Sequence, residues 1–180
     1  MARRTQVLVI GSNGDSCTDA QSGHAHAAGA AVARAGAVLV TGGLGGVMEA
    51  ASRGASEAGG LVVGVIPYED ASRANGFCDV VIPTGMGMAR DYVNAHCADG
   101  VVVVGGGSGT LSEACAAYMH DKPMVVVRGL GGSVERYIDG YLDGRKRVRV
   151  LGAGSGAEAA GALLGLLGQV GVGCVRGAEL

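Results

Sequence analysis

The chain has 180 residues, of which 48% are apolar, only 3% are aromatic, and none is tryptophan; the formal charge is −2. That charge gives no electrostatic case for a nucleic-acid partner. The mean hydropathy of +0.34 arises without any apolar run near the roughly 20 residues of a membrane helix.

The length suits one domain with a substantial core, and the excess of short Val runs and alanines suits a parallel sheet covered on both faces. Glycine contributes 35 residues, far above its usual share of about 7%. These glycines cluster at the ends of apolar segments and act as punctuation. Five cysteines, at 17, 78, 97, 115 and 174, form no CxxC pair. Reduced thiols and a cytoplasmic location are therefore expected, with no disulfide frame and no metal site. The basic cluster Arg145–Arg149 reads as a solvated loop.

Along the chain, Gln6–Ile10 reads as a strand closed by a turn at Gly11, Ser12, Asn13 and Gly14. A helix follows to about Arg34, with Ala28, Ala31, Val32 and Ala35 on one face, and Gly36 stops it. Val38–Thr41 is a second strand, followed by the glycine loop Gly42, Gly43, Leu44, Gly45, Gly46. The next helix carries Val47, Ala50, Ala51, Gly54, Ala55 and Ala58. On it Glu49 and Arg53 are spaced as a solvated i,i+4 pair. Leu61–Ile66 is a third strand, closed by Pro67, and 68–78 is a polar loop.

Val80–Ile82 is a short strand, and Thr84–Gly87 lead into another helix. The spacing there predicts an apolar face of Ala89, Tyr92, Val93, His96 and Cys97, with Arg90, Asp91 and Asn94 pointing elsewhere. Met86 and Met88 read as packing residues. Val101–Val104 is a strand, Gly105–Thr110 a second glycine loop, and Leu111–His120 a helix burying Leu111, Ala114, Cys115, Tyr118 and Met119. Cys97 and Cys115 read as core. Met124–Val127 is a strand; Val134, Tyr137, Ile138, Tyr141 and Leu142 mark an amphipathic helix; Val148–Leu151 is a last strand and Ala157–Leu167 a last helix. The domain thus runs from 1 to 167, and the tail 168–180, which has no periodicity, is expected to be disordered.

Strand and helix alternate throughout, which predicts an α/β fold: a doubly wound, Rossmann-like, mostly parallel sheet with right-handed crossovers. Ligands of such sheets bind outside the carboxyl ends of the strands. All the glycine-bearing loops follow strands and should converge there. Glycines let the backbone approach a phosphate, and a helix N-terminus aims free N–H groups at it. Neither a G-x-G-x-x-G fingerprint with its acidic partner nor a Walker lysine is present, so a monophosphate is the natural guest. The expected contacts are Gly11, Ser12, Gly42, Gly43, Gly45, Gly46, Thr84, Gly106, Gly107, Ser108, Gly109 and Thr110.

Three motifs, Thr41-Gly42-Gly43-Leu44-Gly45-Gly46-Val47-Met48-Glu49-Ala50, Gly85-Met86-Gly87-Met88-Ala89-Arg90-Asp91 and Gly105-Gly106-Gly107-Ser108-Gly109-Thr110-Leu111-Ser112-Glu113, resemble the LOG-like ("lonely guy") family, once labelled lysine decarboxylase-like. The resemblance spans about residues 5–165 and points to a branch of small nucleotide-binding proteins similar to the molybdenum-cofactor carrier. It implies binding of a nucleoside 5′-monophosphate, a homodimer or homotetramer, and hydrolysis of the N-glycosidic bond to base and ribose 5-phosphate. The family's arginine of M-x-x-R-K and final glutamate of P-G-G-x-G-T-x-x-E match Arg90 and Glu113, the catalytic candidates. Asp91 stands where that motif has lysine, Gly105 where it has proline, and Ser112 where a first glutamate is frequent. These departures weaken the enzyme reading relative to a non-catalytic carrier or sensor. A carboxylate beside the ribose would stabilise an oxocarbenium-like state. Equally, Thr110-Leu111-Ser112-Glu113 spells a capping box, which alone would account for Glu113. The chain's two lysines, Lys122 and Lys146, are not placed to form a Schiff base, so no pyridoxal cofactor is expected, nor any other.

Overall fold

The computed structural model describes residues 3–171. Seven parallel strands form one sheet in the order β4-β3-β2-β1-β5-β6-β7. The strands are β1 (Gln6–Gly11), β2 (Val38–Thr41), β3 (Leu61–Ile66), β4 (Val80–Pro83), β5 (Gly100–Val104), β6 (Met124–Val127) and β7 (Val150–Ala153). The helices are α1 (Asp19–Arg34), α2 (Val47–Glu57), α3 (Arg90–Cys97), α4 (Ser108–Met119) and α5 (Gly156–Gly171). The expected doubly wound α/β fold is therefore the one observed. Among the described residues, no helix is long and apolar enough to cross a membrane.

The strands are apolar at successive positions because both faces are covered. Val7, Val9, Leu39, Val62, Val102 and Val104 pack on one face with α1, α2 and α5. Leu8, Ile10, Val40, Val65, Val101 and Val103 pack on the other with α3 and α4. With so few aromatic side chains to fill space, the layers close by small residues. Gly29 and Gly54 sit where a Cβ would strike the backbone carbonyls of Ala51 and His26, so α1 and α2 cross nearly in backbone contact.

The register places Ile10 beside Val103 and Gly11 beside Val104 at the carboxyl edge. From there β1 runs into α1 on one face and β5 into α4 on the other. The strand order reverses between them, which opens a crevice.

Several local expectations change. α1 starts only at Asp19, where Thr18 and Gln21 form a full capping box. No helix forms around Val134–Leu142. A 3-10 turn spans Glu135–Tyr137, and Asp139 then takes a left-handed φ of 63°. The Asp139 amide donates instead to Val150 O at 2.8 Å. Val134 and Ile138 still reach the core, without a helix. The last strand lies two residues later than its apolar run suggests. α5 continues through Gly168 to Gly171, because its pattern of small residues does not stop there; the rest of the predicted tail, 172–180, lies outside the described residues. Glu49 and Arg53 form no ion pair within 4 Å. The basic cluster is a paired surface loop, with Arg147 on Asp121 at 2.6 Å and Arg145 on Asp143 at 2.5 Å.

Candidate functional site

A cavity of about 350 Å³ opens at the β1–β5 crevice. From β1 and its turn come Ile10, Gly11, Ser12, Asn13 and Ser16, and from the loop before α2 and α2 itself come Gly42, Leu44 and Met48. Pro67 and Tyr68 border it after β3, and Met88, Arg90 and Asp91 come from around the start of α3. Gly107, Ser108, Gly109, Thr110 and Glu113 complete it from α4.

The glycine loop after β5 shapes the α4 end of the cavity. Gly105 and Gly106 have φ of 62° and 93°, and a Cβ on Gly106 would collide with the Thr110 hydroxyl. α4 begins at Ser108, with Gly107 as N-cap and no side chain capping it. Thr110 is therefore the third helical residue rather than the cap. Its Oγ1 donates to Gly11 O at 3.0 Å, tying α4 to the end of β1. Among the described residues no acceptor meets the amides of Ser108, Gly109 and Thr110. Three free donors and the positive end of the helix dipole therefore meet at the cavity.

The capping-box explanation of Glu113 fails with that start. Glu113 lies in the second turn and faces α3. Its Oε1 accepts from Asn94 Nδ2 at 2.9 Å and from Arg90 Nη1 at 3.3 Å, while Arg90 Nη1 also lies 3.1 Å from Asp91 Oδ1. All four residues are at least nine-tenths buried. This reverses the expected faces of α3. Arg90, Asp91, Asn94 and Ala95 point inward, whereas Tyr92, His96 and Cys97 are exposed. The polar side chains satisfy one another across α3 and α4, so burying them costs less than their types suggest. Two polar atoms stay unpaired, Arg90 Nε and Asn94 Oδ1. The same inversion exposes Cys115 and Met119 on α4, and Met86 and Met88 beside α3, none of which is core.

Burial pushes the Glu113 carboxyl up to about 7. Asp91 adds to the rise, while the Asn94 hydrogen bond and Arg90 oppose it. Burial also raises Asp91, against the pull of Arg90. One arginine thus faces two carboxyl groups, of which one is half protonated near neutral pH.

Of the residues singled out in the sequence, Gly11, Ser12, Gly42, Arg90, Gly107, Ser108, Gly109, Thr110 and Glu113 line one cavity. Gly43, Gly45, Gly46, Gly106 and Thr84 do not. Gly43 turns the loop, its amide on Thr41 Oγ1 and its carbonyl on Asn75 N. Gly45 and Gly46 border shallower pockets. Thr84 spends its hydroxyl on Ile66 O at 2.8 Å. Gly42 lines the wall for a steric reason: a Cβ there would sit 2.7 Å from Arg90 Nη1. Sequence reasoning missed Asp91, Asn94 and Tyr68. The i,i+4 spacing of Arg90 and Asn94 was the available signal for a polar inner face. Among the described residues no cluster of three His, Cys, Asp or Glu could hold a metal ion.

A seven-stranded parallel sheet with helices on both faces and a cavity at its switch point defines a Rossmann-like α/β protein. Within that class the chain belongs to the SLOG cluster4 family, whose model it matches over residues 4–152. It is 40% identical to an uncharacterised protein of Archaeoglobus fulgidus over 131 residues, which are 69% of this chain and 85% of that protein. It is similar in structure to the molybdenum cofactor binding protein of Rippkaea orientalis, with a TM-score of 0.82 and 29% identity over 93% of this chain and 99% of the other. It is likewise similar to the molybdenum cofactor carrier protein of Chlamydomonas reinhardtii, with a TM-score of 0.80 and 33% identity over 92% and 99%.

Proposed function

We propose that this chain binds a phosphorylated, nucleotide-like small molecule, with its phosphate at the N-terminus of α4 and its remainder in the cavity. The observation that carries this reading is the set of three unpaired amides of Ser108, Gly109 and Thr110 facing the switch-point cavity. An anion there gains both the hydrogen bonds and the helix dipole. The volume falls within the range of small-molecule sites, about 300–1,000 Å³. Binding without turnover, as a carrier or sensor, is the first form of the proposal. It is supported by the similarity to proteins described as cofactor binding and cofactor carrier, and by Asp91 in place of the motif lysine.

One observation favours a second reading, an N-glycosidase for nucleoside 5′-monophosphates. Glu113, with its carboxyl near 7, lines the same cavity as the free amides. A carboxyl so poised exchanges a proton readily at neutral pH, as activation of a water for attack on an anomeric carbon requires. Arg90 would then hold the carboxylate in place.

The experiment pairs calorimetric binding of a panel of nucleoside 5′-monophosphates with chromatographic detection of free base, for the wild type and Glu113→Gln. Saturable binding with no base released supports the carrier form. Release by the wild type alone moves the assignment to the glycosidase. Absence of binding by every phosphorylated compound tested, inorganic phosphate included, removes both.

A homo-oligomer and a cytoplasmic location belong to the same proposal. The outer face of α3 and α4 supports the first: Tyr92, His96, Cys97, Ser112, Cys115 and Met119 are exposed there and none carries a formal charge. The free thiols support the second.

A further inference from the structure

We infer that Tyr68 is the stacking platform for a planar, conjugated ring of the ligand, and that Arg73 pins it in place. The inference rests on the phosphate-binding reading above and adds the chemical class of the ligand's other end.

Tyr68 is the one aromatic side chain lining the cavity. The Arg73 guanidinium lies over its ring, with Cζ 3.4 Å from the centroid. Tyr68 borders both the main cavity and a shallower pocket that contains Arg73, whereas Arg73 does not reach the main cavity. The cation thus occupies one face of the ring, beside that shallower pocket. The opposite face is left to a guest.

The segment carrying this pair is anchored at both ends. Pro67 O and Tyr68 O accept from the amides of Gly87 and Gly85, at 3.0 and 3.1 Å. Asp70 caps the 3-10 turn Ala71–Arg73 through Ser72 N at 2.9 Å. Asn75 then clamps the far end onto the loop before α2, its amide on Gly43 O at 2.7 Å and its side chain on Leu44 O at 3.1 Å. A ring held by backbone anchors on both sides and by a cation on one face loses little freedom when a second ring stacks on it. That is the condition under which stacking adds affinity.

The other end of the cavity presents the free amides of α4. A phosphate at one end and an aromatic face at the other describe a ligand in which a phosphate is joined to a flat heterocycle. A purine nucleotide and a phosphorylated pterin share that chemistry. The carboxyl of Glu113, with Arg90 and Asp91, lies along the same lining.

The test uses the full chain and three probes: AMP, neopterin monophosphate and ribose 5-phosphate, which has no ring to stack. Affinities are measured by calorimetry for the wild type, Tyr68→Leu, Tyr68→Phe and Arg73→Gln. Stacking predicts a loss of about tenfold or more in Tyr68→Leu for whichever ring-bearing probe the wild type prefers, with ribose 5-phosphate unchanged. Tyr68→Phe keeps the wild-type preference, since it keeps the π face. Arg73→Gln loses about two- to fivefold, again only for the ring-bearing probe. Preference for AMP or for neopterin monophosphate separates the two sources of the ring.

Equal loss for all three probes in Tyr68→Leu would show that Tyr68 only shapes the loop, and would overturn the inference. So would wild-type affinity for ribose 5-phosphate equal to that for both ring-bearing probes. In either case the phosphate-binding reading stands, because ribose 5-phosphate still binds the wild type. A wild type that binds none of the three overturns that reading, and the platform with it.

Discussion

Asn94 donates from Nδ2 to Glu113 Oε1 at 2.9 Å, from a helix the sequence pattern had turned the other way. The two residues are 19 positions apart, and both are buried beside the cavity. This bond, with Arg90, holds the Glu113 carboxyl against the wall and partly offsets the cost of burying it.

Stability should fall as pH rises through the window set by Glu113. Its folded pKa, about 7, lies above its ordinary 4.5, so between those values the folded state binds more protons than the unfolded one. By linkage the penalty is absent below about pH 4.5, grows from there to 7 and is complete above it. It amounts to about 3 kcal/mol as an order of magnitude. The raised Asp91 acts in the same direction. The lowered carboxyls of Asp70, Asp99, Asp121 and Asp143 act below that window and do not mask it. Urea unfolding at pH 5 and pH 8 should show the drop in the wild type and a much smaller one in Glu113→Gln. An equal drop in both would assign it elsewhere.

Replacing Asn94 by Leu removes the shorter of the two hydrogen bonds to Glu113. The cost is about 1–3 kcal/mol. The carboxyl pKa should also move further up, because one of the two groups favouring its charged form is gone. The reading is the pH midpoint of the stability profile. An unmoved midpoint together with a lost kcal/mol would mean that Asn94 only packs.

Gly106 and Gly107 are neighbours with opposite expectations. At Gly106, φ is 93° and a Cβ meets the Thr110 side chain, so Gly106→Ala should destabilise by about 2–4 kcal/mol. At Gly107, φ is −101° and a Cβ meets nothing within 4 Å. Gly107→Val should therefore cost the fold no more than about 1 kcal/mol, as the loss of a glycine N-cap, while its methyl groups crowd the free amides. Binding of inorganic phosphate or ribose 5-phosphate should fall by an order of magnitude or more in that variant. Intact binding in a folded Gly107→Val protein would move the phosphate away from α4.

The outer face of α3 and α4 makes a prediction about assembly. Tyr92 is 55% exposed and Met119 39%, while His96 and His120 stack edge to face at 4.6 Å. A charge placed in an interface without partners is costly to desolvate. Tyr92→Arg should therefore lower the mass seen by sedimentation equilibrium to that of the monomer, about 17.7 kDa, with unchanged thermal stability of the monomer itself. An oligomer that persists in Tyr92→Arg would place the contact elsewhere.

Much of the fold could be read from the chain because its signals are local. Val101–Val104 running into Gly105–Gly107 states a strand and a turn within seven residues. Val38–Thr41 with Gly42 and Gly43 does the same, and the alternation of such units leaves a parallel doubly wound sheet as the solution. Where the local signal misled, a distant partner had decided. The apolar spacing around Tyr137 reads as a helix, but Val150 takes the Asp139 amide and bends the chain. Tyr92 and His96 look like core beside Arg90 and Asn94, until Glu113 arrives from another helix to pair with the polar side.

The sequence by itself determined the chain order of the strands and of the helices other than the one expected around Tyr137, the placing of the glycine loops after strands, and hence the edge of the sheet where a ligand would sit. Glycine and proline limit φ and ψ at their own positions, and periodicity is carried by residues two to four apart, so this information survives without tertiary contacts. Only the tertiary structure decided which glycines face the cavity, which face of α3 is buried, and that Glu113 serves a polar cluster instead of a helix cap. Those outcomes depend on burial and on partners far along the chain. The energy of a charged group is set by what surrounds it, and no spacing rule records that.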